Sequence, residues 1–113
     1  TPTILDHVDP NSEIVVKETF GPTAPIIRFD TLEEAIRIAN NTPFGLQAGV
    51  ATENIKKALR IAKQLQVGGV MINEGPGFRV EPIPFGGIKK SGLGREGIQC
   101  ATREMSNMKL IVI

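Results

Sequence analysis

Apolar positions along this chain change their spacing several times, and each change marks an element. Leu32, Ala35, Ile36 and Ala39 recur at three- and four-residue steps, which places them on one face of a helix. Thr31 stands just before them and Glu34 follows three residues later, a capping box. Asn40-Asn41-Thr42-Pro43 stops that helix, because the residue before a proline avoids the α region. Ile55, Ala58, Leu59, Ala62 and Leu65 keep the same helical period, with Thr52 as cap and Gly68-Gly69 as terminator. A last helix is expected from about Arg95 to Ser106, with Ile98, Ala101 and Met105 on one side.

Short β-branched runs alternate with these helices. Thr1 to Pro10 reads as an entry segment. Ile14-Val15-Val16 is a brief β-branched run that leads through Lys17 to Phe20 into a Gly21-Pro22 turn. Strands are expected at Pro25 to Phe29, at Ala48 to Ala51, at Val70 to Ile72 and at Met108 to Ile113. Strands separated by helices at this spacing predict an α/β fold of parallel βαβ units. Leu110-Ile111-Val112-Ile113 has no helix after it to cover it, so it should pair with something outside its own unit.

Between Asn73 and the last helix lies a long loop that ends in Pro84-Phe85-Gly86-Gly87-Ile88-Lys89-Lys90-Ser91-Gly92-Leu93-Gly94-Arg95-Glu96-Gly97. Five glycines in this stretch mean backbone at positive φ or backbone in close contact with another part of the chain. Gly92, Gly94 and Gly97 form a G-x-G-x-x-G, but a dinucleotide fingerprint needs a strand running into the first glycine. It also needs an acidic residue roughly 20 residues further on, beyond a second strand. Ile88-Lys89-Lys90-Ser91 has no strand pattern, and the final strand carries no acidic residue. The favoured reading is therefore an ordered loop folded against a larger structure. A P-loop is absent, since no glycine precedes Lys89 or Lys90 at the required spacing.

Taken with Glu18-Thr19-Phe20-Gly21-Pro22, this stretch resembles the C-terminal part of the NAD(P)-dependent aldehyde dehydrogenase family. There an E-x-F-G-P segment is followed, after two helix–strand units, by P-F-G-G-x-K-x-S-G-x-G-R-E. Both occur here in that order, and the resemblance runs from about Glu13 to Ile113. It implies residues 1–107 as the C-terminal portion of a catalytic domain and 108–113 as a strand of an oligomerisation sheet, in a homodimer or homotetramer. It further implies oxidation of a small aldehyde to a carboxylic acid with NAD or NADP. A cysteine thiolate would attack the carbonyl, a thiohemiacetal would give up hydride, and water activated by a glutamate would release the acid. That cysteine, that glutamate, the oxyanion-hole asparagine and the Rossmann domain would all lie upstream of Thr1. No catalytic residue is therefore assigned in this chain, which is expected to be inactive alone.

The same resemblance assigns roles residue by residue. Glu18 would accept hydrogen bonds from the hydroxyls of the nicotinamide ribose, and Phe20 would pack near the nicotinamide ring. Phe78 and Phe85 would be apolar walls of an aldehyde tunnel, with ordinary core packing as the plainer alternative. Phe78-Arg79-Val80-Glu81 looks like the subgroup acting on small hydroxy-, phospho-, phosphono- or sulfo-aldehydes, such as lactaldehyde dehydrogenases. Arg79 would either bind an anionic substrate tail or sit in solvent paired to Glu81. Cys100, in the last helix, is read as a small buried apolar residue and not as the nucleophile.

Composition changes this picture only by exclusion. The 113 residues suit one ordinary domain, and 41% hydrophobic content permits a core. A net charge of +1 and an aromatic set of five phenylalanines argue against a nucleic-acid partner. One cysteine allows no disulfide framework and no multi-cysteine metal site, and fits a reducing, cytoplasmic setting. No run approaches the roughly 20 apolar residues of a membrane span. The chain opens Thr1-Pro2 without Met, which fits a fragment or a processed product. The alternative to a dehydrogenase segment is a small non-catalytic module that binds nucleotide through its glycines or assembles through its last strand.

Overall fold

The computed structural model describes all residues from Thr1 to Ile113. They divide into two compact units, Thr1–Pro43 and Phe44–Ile113. Each unit is built on a pair of parallel strands with a helix between them, the expected βαβ arrangement. No helix is long and apolar enough to cross a membrane.

In the first unit β1 (Thr3–Leu5) pairs with β2 (Thr23–Pro25), Thr3 opposite Thr23 and Leu5 opposite Pro25. The expected strand over Pro25–Phe29 is thus displaced toward the N-terminus and paired with residues read as an entry segment. The regular ladder ends in a kink: Asp6 accepts from the His7 backbone N–H, His7 adopts φ 54, and the Val8 N–H then returns to the Ile26 carbonyl at 3.0 Å. The Ile14-Val15-Val16 run is helical, in α1 (Glu13–Val16). Local turn chemistry overrides the β-branched preference there. Asp9 Oδ1 accepts from the Asn11 N–H, and the Asp9 carbonyl accepts from the Ser12 N–H and hydroxyl. The Ser12 carbonyl then accepts from Val15 and Val16, and Lys17 Nζ meets Glu13 Oε1 at 2.6 Å one turn apart.

Helix α2 (Leu32–Asn40) starts at the predicted cap. Thr31 Oγ1 accepts from the Glu34 N–H at 3.2 Å. The returning carboxylate bond is one residue off the ideal box, because Glu34 Oε2 accepts from the Asp30 N–H. Ile36 is the buried side chain of this helix, with Leu32 and Ala35 half-buried beside it and Ala39 exposed.

In the second unit β3 (Gln47–Val50) pairs in parallel with β4 (Gly69–Ile72), Gln47 opposite Gly69 and Val50 opposite Ile72. Helix α3 (Ile55–Gln64) joins them and contacts β3. Its cap is Asn54, whose Oδ1 accepts from the Lys57 N–H at 3.0 Å. Thr52 supports that cap by accepting from the Asn54 N–H, and is not itself the cap. Gly68 and Gly69 do not terminate the helix in a left-handed turn, since α3 ends at Leu65 in extended backbone. Gly68 is required for another reason. A Cβ there would overlap the Gly86 carbonyl oxygen, so the glycine-rich loop rests directly on this backbone.

The last helix, α4 (Ile98–Glu104), is shorter than expected because Gly97 at its cap sits at φ 118. Met108–Ile113 forms no strand within the chain. Leu110, Ile111, Val112 and Ile113 are all exposed, and a strand needs a neighbour to complete its hydrogen bonds.

Candidate functional site

The first candidate residues lie between α1 and β2. Glu18, Thr19 and Phe20 run through an irregular, exposed segment that the Gly21-Pro22 turn delivers into β2, where the Thr23 N–H donates to the Gly21 carbonyl at 2.8 Å. The Glu18 side chain is exposed and makes no hydrogen bond or ion pair within the chain, and its neighbour Lys17 is held by Glu13. Phe20 is 94% exposed. A bare phenyl ring two residues from an open carboxylate offers a stacking surface and a bidentate acceptor together. A ribose diol with an attached aromatic ring matches both groups, so this acceptor and ring set fits a dinucleotide.

The second unit holds a cleft of about 310 Å³. One wall is backbone and side chain of β4, including Val70 and Met71, and the other is the loop carrying Phe78, Arg79 and Phe85. All three residues singled out from the sequence as substrate-pocket residues therefore line one space. Its lining is otherwise apolar or uncharged, and Arg79 is its one charged side chain.

Arg79 does not pair with Glu81. Its Nη2 donates to Glu96 Oε2 at 2.8 Å, and its guanidinium carbon lies 4.5 Å from the centre of the Phe85 ring. Backbone pairing sets up this choice. Phe85 and Glu96 exchange both main-chain hydrogen bonds, Phe85 N to Glu96 O at 3.0 Å and Glu96 N to Phe85 O at 2.6 Å. That bridge brings a glutamate remote in sequence next to the ring on which Arg79 lies. Sequence reasoning missed Glu96, whose only signal was its place in the glycine-rich motif.

The rest of the loop is pinned by its own polar groups. Ser91 Oγ accepts from the Gly45 N–H at 2.9 Å, and the Ile88 N–H donates to the Gly45 carbonyl at 2.9 Å. Arg95 Nη1 donates to the carbonyls of Gly87 and Gly94 at 2.9 and 2.7 Å. Gly92, Gly94 and Gly97 have positive φ, as their density suggested, yet no strand precedes them and α4 has only seven residues. The stretch is a folded loop that lacks the strand-to-helix setting of a dinucleotide fingerprint. Cys100 lies in α4 and lines neither this cleft nor the hollow of about 340 Å³ beside it. At the far end of β4, Asn73 adopts φ 57 and its amide both accepts from and donates to the Thr52 backbone, extending the β3–β4 pairing by side chain.

These features define the class first: an α/β segment with parallel βαβ units, an apolar cleft bearing one cation, and an exposed carboxylate–phenyl pair. The profile of the aldehyde dehydrogenase family matches residues 1–111, and the chain belongs to that family. It is 54% identical over 112 residues to a sulfoacetaldehyde dehydrogenase of Neptuniibacter caesariensis, covering 99% of this chain and 25% of that protein. It is 53% identical over 107 residues to a lactaldehyde dehydrogenase of Methanococcus maripaludis, covering 95% of this chain and 23% of the relative. Among solved structures it is similar to glyceraldehyde-3-phosphate dehydrogenase GapN of Methanocaldococcus jannaschii complexed with NADP. There the TM-score is 0.92 and the identity 51%, over 99% of this chain and 24% of that one. The NAD+ complex of a Bacillus cereus aldehyde dehydrogenase matches with a TM-score of 0.84 and 43% identity, over 88% of this chain and 20% of that one. The chain spans about a quarter of the length of the curated relatives it matches.

Proposed function

We propose that this chain is part of an NAD(P)-dependent aldehyde dehydrogenase, to which it contributes cofactor contacts and part of the aldehyde cleft. The observation that carries the reading is the Glu18–Phe20 segment, an unpaired carboxylate beside a phenyl ring 94% exposed, in a chain of this family. Bound NAD(P)+ would supply the hydride acceptor. Glu18 holds the ribose hydroxyls and Phe20 limits the positions of the attached ring, which lowers the entropic cost of reaching the reactive geometry. Phe78 and Phe85 exclude water from the aldehyde, and Arg79 places a cation beside it.

The nucleophile and the general base belong to a part of the protein upstream of Thr1. Attack by an upstream cysteine thiolate would give a thiohemiacetal, loss of its hydride would leave a thioester, and water activated by an upstream glutamate would hydrolyse that thioester to the acid and the free thiolate. The substrate is a small aldehyde, the protein is a cytoplasmic homo-oligomer, and Met108–Ile113 is the strand that joins its oligomer sheet.

Glu18→Gln in the full-length protein tests the cofactor role. The amide keeps one acceptor oxygen and loses the charge-assisted hydrogen bonds to the diol. Single-turnover formation of NAD(P)H should slow on the order of tenfold to a hundredfold, the usual cost of a misplaced reacting group. An unchanged single-turnover rate would remove Glu18 from the cofactor site.

A further inference from the structure

Resting on the reading of the 310 Å³ cleft as the aldehyde site, we propose that Glu96 is a positioning residue that sets how strongly the cleft selects aldehydes with an anionic tail. It does so by competing with that tail for the Arg79 guanidinium.

Arg79 gives Glu96 only one hydrogen bond, through Nη2, although a guanidinium carries five N–H donors in a fork. The remaining donors are open to a second anion. The pair is also partly solvated, with the Arg79 side chain 39% and the Glu96 side chain 66% exposed, so the contact between them is weak enough to be displaced. A sulfonate or phosphate tail presents three oxygens, enough to accept a bidentate pair of bonds and replace the single bond to Glu96.

Two further features hold the competitor in place. Phe85 carries the guanidinium on its face, so Arg79 stays at the cleft whichever anion it meets. The paired backbone of Phe85 and Glu96 fixes the glutamate to the same spot independently of Arg79. Glu96 lines the adjoining hollow and not the cleft, which leaves room for a substrate tail on the other side of Arg79. With an uncharged aldehyde the pair stays closed and Arg79 is neutralised. With an anionic aldehyde the guanidinium changes partner, and the binding it gains is reduced by the bond to Glu96 it gives up. A cleft built this way accepts both kinds of aldehyde.

The test is a double-mutant cycle in the full-length protein, with sulfoacetaldehyde as the anionic probe and lactaldehyde as the uncharged one. The readout is the KM for sulfoacetaldehyde relative to that for lactaldehyde, followed separately from kcat. Arg79→Gln should raise this ratio about tenfold or more, the worth of a charge-assisted hydrogen bond. Glu96→Gln, a weaker competitor, should lower it about three- to tenfold. Glu96→Asp keeps the charge on a shorter side chain and should fall between wild type and Glu96→Gln, which also serves if the amide variant folds poorly. In the Arg79→Gln background the Glu96 changes should no longer move the ratio. An unchanged or raised ratio in Glu96→Gln, or a drop that persists without Arg79, overturns the role of Glu96 and leaves the cleft reading intact. An Arg79→Gln variant that leaves the ratio unchanged overturns the cleft reading, and the inference with it.

Discussion

Asp6 and Arg28 show how a local pair organises the first unit. Arg28 Nε donates to Asp6 Oδ1 at 2.9 Å and Nη2 to Asp6 Oδ2 at 2.5 Å, a two-bond fork. Those bonds, followed by the His7 backbone N–H, hold the Asp6 carboxyl at about 2, below its ordinary 3.8. A folded-state value below the unfolded one means stability present above about pH 3.8 and lost as the pH falls toward about 2. Carbon-13 titration of Asp6 should find it near the lowered value and show Arg28→Gln returning it toward the ordinary one. Titration at the ordinary value with Arg28 intact would contradict the pairing. Some residues were legible before the fold was known. Thr31 with Glu34 was readable because a cap depends on neighbours in sequence. The partner of Arg79 was not: Glu81 is two residues away, but the Phe85–Glu96 bridge brings a residue 17 positions on, and only the folded loop reveals it.

At the scale of elements, helical periods were readable and short extended runs were not. The faces of α2 and α3 follow the apolar spacing, since each helix repeats its signal over several turns. A three-residue run such as Ile14–Val16 carries too little pattern to outweigh the Asp9–Ser12 turn that nucleates α1. The strand displaced from Pro25–Phe29 to Thr23–Pro25 reflects its partner, because pairing and not propensity decides where a strand begins. The same logic governs Met108–Ile113, with the right composition for a strand and no ladder inside the chain. Ile111, 71% exposed, is the place to test its role. Ile111→Lys in the full-length protein should shift sedimentation toward smaller species, since a charge on a buried sheet face is costly. An unchanged assembly mass would take this segment out of the oligomer contact.

At the scale of the whole chain, the decisive feature is how little it buries. Ile36 and Ala58 are its buried hydrophobic side chains, while Phe20, Phe29, Ile55, Leu59, Ile98 and Met105 are among the large apolar groups left exposed. Burial on this scale falls far short of what self-sufficient domains of similar length achieve. The apolar stripe of α3 shows it directly: Ala58 is covered, and Ile55 and Leu59 on the same face are bare. Helical period alone could say which face is apolar but not how much of it is covered, so the stripe was legible and its exposure was not. Under the proposed function the covering partner would be the remainder of a dehydrogenase, which would also bring the nucleophile and the general base. The most direct test is to follow NAD(P)H absorbance with a small aldehyde, using the purified 113-residue chain and, separately, the full-length protein. Turnover is expected from the full-length protein and none from the isolated chain. Turnover by verified 113-residue material, or none by the full-length protein across small neutral and anionic aldehydes, would contradict a shared active site completed from upstream.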